Sequence, residues 1–135
     1  MFKKKEEDKT KSTERDIGFL EDSYELCKNL TSIEAHSFGS FTSSKDKKYL
    51  ELAKQARKIR TEILLKITNS GEQSWCINKH MAESSMRLQE LFTRYLSIDD
   101  EKNAERMSEL AGQIYFMFLK LNGYTEGETN TKSSA

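Results

Sequence analysis

Apolar residues recur every three or four positions from Asp16 to Asn122, and the chain contains no proline. That spacing gathers them on one face of a helix, and without proline nothing clashes with a preceding turn or removes a helical N–H. Four helices are predicted. The first covers residues 14–35 behind a Thr13 N-cap, with Ile17, Leu20, Tyr24, Cys27 and Leu30 as its apolar stripe. Ser37 to Ser44 is rich in Ser and Gly and reads as a loop, with Phe38 and Phe41 folded back onto the end of the core. The second helix covers 45–68 behind Ser44. Its stripe is Tyr49, Leu52, Ala56, Ile59, Ile63 and Ile67, widened by Ala53 and Leu64, and Asn69-Ser70-Gly71 ends it with Gly71 in the left-handed position. The third covers 74–97, with Ile77, Met81, Ser84, Leu88, Leu91 and Tyr95 inward and a small-residue notch at Ser84 and Ser85. The fourth covers 100–121 behind Ser97 or Asp99. Ala104, Met107, Ala111, Ile114, Phe118 and Leu121 face inward with Leu110 and Met117, and Asn122-Gly123 stops the helix so that Tyr124 packs back.

Short connections between long helices make neighbours antiparallel. The expected fold is therefore all-α, an up-down-up-down antiparallel four-helix bundle over residues 14–124. Disordered tails are expected at 1–13 and 125–135, where polar composition offers too little apolar area to offset the entropy of ordering. Charge supports pairing of the first two helices: residues 14–34 carry a net −4 and residues 45–66 a net +5.

Over the whole chain 22 basic residues balance 22 acidic ones. A dedicated nucleic-acid binder usually shows a basic excess, so that class is disfavoured. No apolar run approaches the ~18 residues that span a bilayer, and Glu6-Glu7-Asp8 stand where a signal peptide needs its apolar stretch. A cytoplasmic protein without a membrane segment is expected, with Cys27 and Cys76 kept as thiols.

Chemistry concentrates at the start of the third helix. Cys76 and His80 stand at i and i+4, one turn apart on one side. A thiolate and an imidazole so spaced can share zinc, and Glu34 and His36 at the end of the first helix would complete four ligands. Trp75 and Lys79 flank the pair, so Trp75, Cys76, Lys79 and His80 also form a candidate ligand-binding turn. The more ordinary reading is a small buried thiol and a boundary imidazole, with no cofactor. Glu-x-x-His, the di-iron bundle motif, is absent, as is the Arg-to-His spacing of HEPN-type nucleases. Cys76 has a base within reach in His80 but no third group to orient it, so no catalytic residue is assigned.

Two surfaces remain. Lys54, Arg57, Lys58 and Arg60 make a basic face on the second helix, either an anion or RNA contact or, more simply, a flank paired with the acidic first helix. The run from Tyr115 to Leu119 is apolar on nearly every side, so Tyr115, Phe116 and Leu119 are candidates for a partner surface, most simply a homodimer contact or another helical protein. Finally, Trp75-Cys76-Ile77-Asn78-Lys79-His80, followed by Ser85-Met86-Arg87-Leu88-Gln89-Glu90, resembles a family of small uncharacterised archaeal helical-bundle proteins over roughly Asp16 to Gly123. The resemblance implies a compact cytoplasmic bundle and brings no activity with it. The function expected from all of this is a non-enzymatic interaction or accessory module that self-associates, with metal or small-ligand binding and RNA binding as alternatives.

Overall fold

A computed structural model describes residues 16–69 and 72–124. The expected tails at 1–13 and 125–135, the Thr13 cap and Gly71 lie outside them. The described chain is all-α with four helices: α1 (Ile17–Ser44), α2 (Lys48–Ile67), α3 (Glu72–Ser97) and α4 (Glu101–Leu121). It divides into two units, one ending at Thr68 and the other beginning at Asn69. In the first α1 packs on α2, and in the second α3 packs on α4.

The first unit departs from expectation at the end of α1. The stretch read as a loop is helical through Ser44. Thr42 Oγ1 donates to the Phe38 carbonyl (2.9 Å), Ser43 Oγ to Gly39 (3.2 Å) and Ser44 Oγ to Ser40 (2.7 Å). The hydroxyls thus bond the helix's own carbonyls instead of competing with them. Phe38, expected to cap the core, is exposed, and Phe41 is half-buried. Lys45 closes α1 in the left-handed region at φ 60, its N–H donating to the Phe41 carbonyl. Within the described residues Asp16 caps the start: its Oδ1 accepts from the Gly18 N–H at 3.0 Å.

Leu20, Tyr24, Cys27 and Leu30 are buried as the periodicity of α1 requires. On α2 the buried row is Ala56, Arg60, Leu64 and Ile67, turned away from Leu52 and Ile59, which are exposed. Arg60 is 2% exposed. Its Nε donates to Glu34 Oε2 at 2.6 Å and its Nη2 to Glu34 Oε1 at 3.2 Å, a two-point pair joining α2 to α1. The opposite net charges of the two helices therefore meet in one partly buried contact.

In the second unit the polar centre is a pair of amides. Asn122 Nδ2 donates to Asn78 Oδ1 (2.7 Å) and to the Phe118 carbonyl (2.9 Å). Asn122 Oδ1 accepts from Asn78 Nδ2 (3.3 Å) and from the Asn69 N–H (2.9 Å). Both side chains are fully buried. One residue thus caps α4, ties it to α3 and holds the backbone at Asn69. The α4 stop is a Schellman motif, as expected: the Tyr124 N–H donates to Leu119, the Gly123 N–H to Lys120, Gly123 has φ 78, and Tyr124 is buried. The α3–α4 turn repeats it with Asp99 in the left-handed position at φ 58, the Asp100 N–H donating to Tyr95 and the Asp99 N–H to Leu96. Asp100, rather than Ser97 or Asp99, then caps α4 by accepting from the Asn103 N–H at 3.1 Å. Bonds from the Asn103 side chain and backbone hold its carboxyl below the ordinary carboxylate range.

Two stability predictions follow from these polar contacts. Glu34→Ala leaves a buried guanidinium without its carboxylate and should lower unfolding free energy by about 3 kcal/mol in guanidinium titrations, whereas a Glu34→Leu/Arg60→Met double variant should cost far less. Asn78→Ala strips Asn122 of its α3 partner and should cost about 1–3 kcal/mol, while an exposed control such as Gln89→Ala should cost little.

Candidate groove between two helices

Each helix contributes two rows at seven-residue spacing, offset by one position. The inner rows are Leu20 and Cys27 on α1, Ala53, Arg60 and Ile67 on α2, Asn78 and Ser85 on α3, and Ala104, Ala111 and Phe118 on α4; all are buried except Ala53 and Ala111, which are half-buried. One position before these lie apolar residues and one serine at the same spacing, Phe19, Leu26 and Ile33; Leu52 and Ile59; Ile77, Ser84 and Leu91; Leu110 and Met117, although Lys66 and Asn103 interrupt the set on α2 and α4. Apart from half-buried Leu110, all of these are exposed. One residue is about 100° of helical turn. A two-fold rotation relates the members of an antiparallel pair, so rows offset in the same sense lie on the same side of it. Each unit therefore has one side from which apolar side chains project.

In the second unit that side is concave. A groove of about 560 Å³ lies along α3 and α4. Its floor is apolar, formed by Leu88 and Leu91 of α3 with Leu110, Ile114 and Met117 of α4. Met117 is 52% exposed. The small Ser84 leaves the space open on the α3 side, which gives the expected notch a location. His80, Glu83 and Arg87 rim the groove on α3, and Gln113 does so on α4. Apolar floor and few polar rim groups are the usual make-up of a site that takes an apolar ligand or side chains.

The candidates from the sequence distribute unevenly around this groove. Of the Trp75–His80 turn, His80 reaches it; Trp75 and Lys79 are half-buried and Cys76 is exposed. Glu83 Oε1 lies 3.9 Å from both Lys79 Nζ and His80 Nδ1, a loose cluster at the solvent boundary. Of the four residues offered for zinc, Glu34 and His36 belong to the first unit and Cys76 and His80 to the second. Both Glu34 oxygens are engaged by Arg60, and His36 is exposed beside a shallow hollow with Gly39, Ser40 and Tyr49. Among the described residues no group of three or more His, Cys, Asp or Glu side chains is gathered so as to hold a metal ion.

The basic quartet is corrected to a trio. Lys54, Arg57 and Lys58 are exposed, but Arg60 faces inward because it shares the spacing of Ala56, Leu64 and Ile67. The partner patch is corrected as well. Leu119 is buried and its carbonyl takes the Tyr124 N–H, Tyr115 is half-buried, and Phe116 alone is exposed, at 45%. The chain turns back at Gly123, and Tyr124 and Leu119 are both buried.

Cys27 is the chemically distinctive thiol of the first unit. Burial pushes it up to about 12, against the opposing pull of the Arg60 charge. It therefore stays protonated and unreactive. No helix among the described residues is long and apolar enough to cross a membrane. No protein-family model, curated protein or solved structure matches the chain.

The raised Cys27 value has a sign for stability. The unfolded chain gives up this proton near 9.0 while the folded chain retains it, so the contribution is complete below pH 9.0 and is lost as pH rises towards about 12. Urea midpoints should fall more between about pH 8 and about pH 11 in the wild type than in Cys27→Ala; equal falls would contradict this placement of the thiol.

Proposed function

We propose that this chain is a non-enzymatic helical interaction module that acts by self-association through its projecting apolar sides. The observation that carries this reading is the groove on the α3–α4 unit, floored by Leu88, Leu91, Leu110, Ile114 and Met117 and open to solvent. Exposed apolar side chains scattered singly are ordinary on a protein surface; rows of them flanking a groove mark a binding face. The polar groups at its rim are mutually compensating and hold no arrangement of nucleophile, base and orienting group. Metal binding begins with a handicap, since Glu34 would have to leave Arg60, and the basic trio Lys54, Arg57 and Lys58 is small for a nucleic-acid footprint.

Self-association is the simplest use of such a face because a closed two-fold dimer buries the same surface on both subunits. Sedimentation velocity on the full chain should show a weight-average coefficient that rises from low to high micromolar concentration. A single monomeric species throughout would end the proposal.

A further inference from the structure

Asn122–Gly123 is the single Asn-Gly step in the chain; the other asparagines precede Leu30, Ser70, Lys79, Ala104 and Thr131. An asparagine side chain and the backbone nitrogen of the next residue can close a five-membered ring. Glycine presents that nitrogen with no Cβ to crowd the approach and with the backbone freedom the ring demands. We infer that Asn122–Gly123 is a deamidation site gated by the fold. It is shut while the end of α4 is bonded to α3, and it is consumed irreversibly once that end opens.

In the first step the Gly123 N–H gives its proton to base and the nitrogen attacks Asn122 Cγ. A new C–N bond forms, the bond from Cγ to Nδ2 breaks, and Nδ2 leaves as ammonia with a proton from water. Water then opens the cyclic imide. Addition at Cγ yields aspartate; addition at the main-chain carbonyl yields isoaspartate, whose backbone runs through Cβ and Cγ. The net change is amide plus water to acid plus ammonia, and no other reactant is needed.

Three features of the folded unit block the first step. The Gly123 N–H donates to the Lys120 carbonyl at 3.4 Å, so its proton is engaged. Asn122 has ψ 12, which nearly eclipses the Gly123 nitrogen with the backbone nitrogen of Asn122, whereas the ring needs it eclipsed with Cβ. The side chain is fully buried and anchored. Nδ2, the leaving group, donates to Asn78 Oδ1 at 2.7 Å and to the Phe118 carbonyl at 2.9 Å, and Oδ1 accepts from the Asn69 N–H at 2.9 Å. Base cannot reach the site, nor can ammonia leave it, until these bonds break together. The rate therefore follows the fraction of chains in which the α4 end is open.

The product cannot close again. A carboxylate at this position has no hydrogen to donate to Asn78 or to the Phe118 carbonyl, and it would bury a charge against two acceptors. Isoaspartate also lengthens the backbone inside the turn that seats buried Tyr124. Openings of the α3–α4 unit are thus recorded as permanent loss of the α4 stop. The step needs no second copy of the chain.

The full chain is incubated in mildly alkaline buffer at physiological temperature, folded and in guanidinium chloride. Peptide mapping by mass spectrometry reads the amide-to-acid conversion at Asn122. Folded wild type should convert about tenfold or more slowly than unfolded wild type. Folded Asn78→Ala should convert about tenfold faster than folded wild type, since Asn122 has lost its α3 partner, yet at the wild-type rate in guanidinium. Gln89→Ala should match wild type in both conditions. Denaturant also reads the gate without a variant: the wild-type rate should climb with guanidinium concentration. Equal rates in folded and unfolded chains, a folded Asn78→Ala no faster than wild type, a rate indifferent to denaturant, or no conversion in guanidinium would each overturn the inference.

Discussion

A helix pair can bury only one seam. Every other apolar row on its two helices must face something else, and most of what is distinctive about this chain follows from that limit. Beside Leu20, Leu64, Ile67 and Phe118, the buried seams hold small Ala56, Ala82 and Ala104, an arginine and two asparagines. Small residues let helix axes approach closely, and the polar ones lock the register of that approach through directional bonds. The larger apolar side chains, Phe19, Leu26, Ile33, Leu52, Ile59, Leu91 and Met117, stand one position away and remain exposed.

The two buried polar contacts do different work. The Arg60–Glu34 pair joins helices of opposite net charge and is satisfied at both carboxylate oxygens. An isolated arginine in that position would be strongly destabilising, and an apolar pair could replace it at small cost, so its contribution is to alignment. The Asn78–Asn122 pair is neutral and saturates four hydrogen bonds within about one helical turn. It couples the end of α4, the interior of α3 and the backbone at Asn69, so local fraying there would have to break all of them together.

Much of this was legible in the sequence. Helix number and class followed from apolar periodicity and the lack of proline, and the Gly123 stop with Tyr124 packed back followed from known capping chemistry. The end of α1 was misread because serine and glycine are loop-forming on average, whereas here three hydroxyls in succession bond carbonyls four residues back. The rotation of α2 was missed because Arg60 was counted as surface charge; its spacing from Ala56, Leu64 and Ile67 was the available signal. Asn78 was hidden in the same way, four and seven positions from Ala82 and Ser85, where an apolar-only pattern cannot find it. The groove was only half legible: the Ser84 notch and the inward assignments of Leu88, Leu91, Leu110 and Met117 were read, but not that one helix pair would leave them open.

Coupling between folding and association is what distinguishes an interaction module from a self-sufficient helical domain here. Calorimetric unfolding of the full chain across a hundredfold range of concentration measures it directly, because mass action makes the midpoint of an associating protein depend on concentration. Burial of the projecting rows against a second copy predicts a Tm that climbs steadily with protein concentration. A Tm that stays constant over the whole range would contradict it.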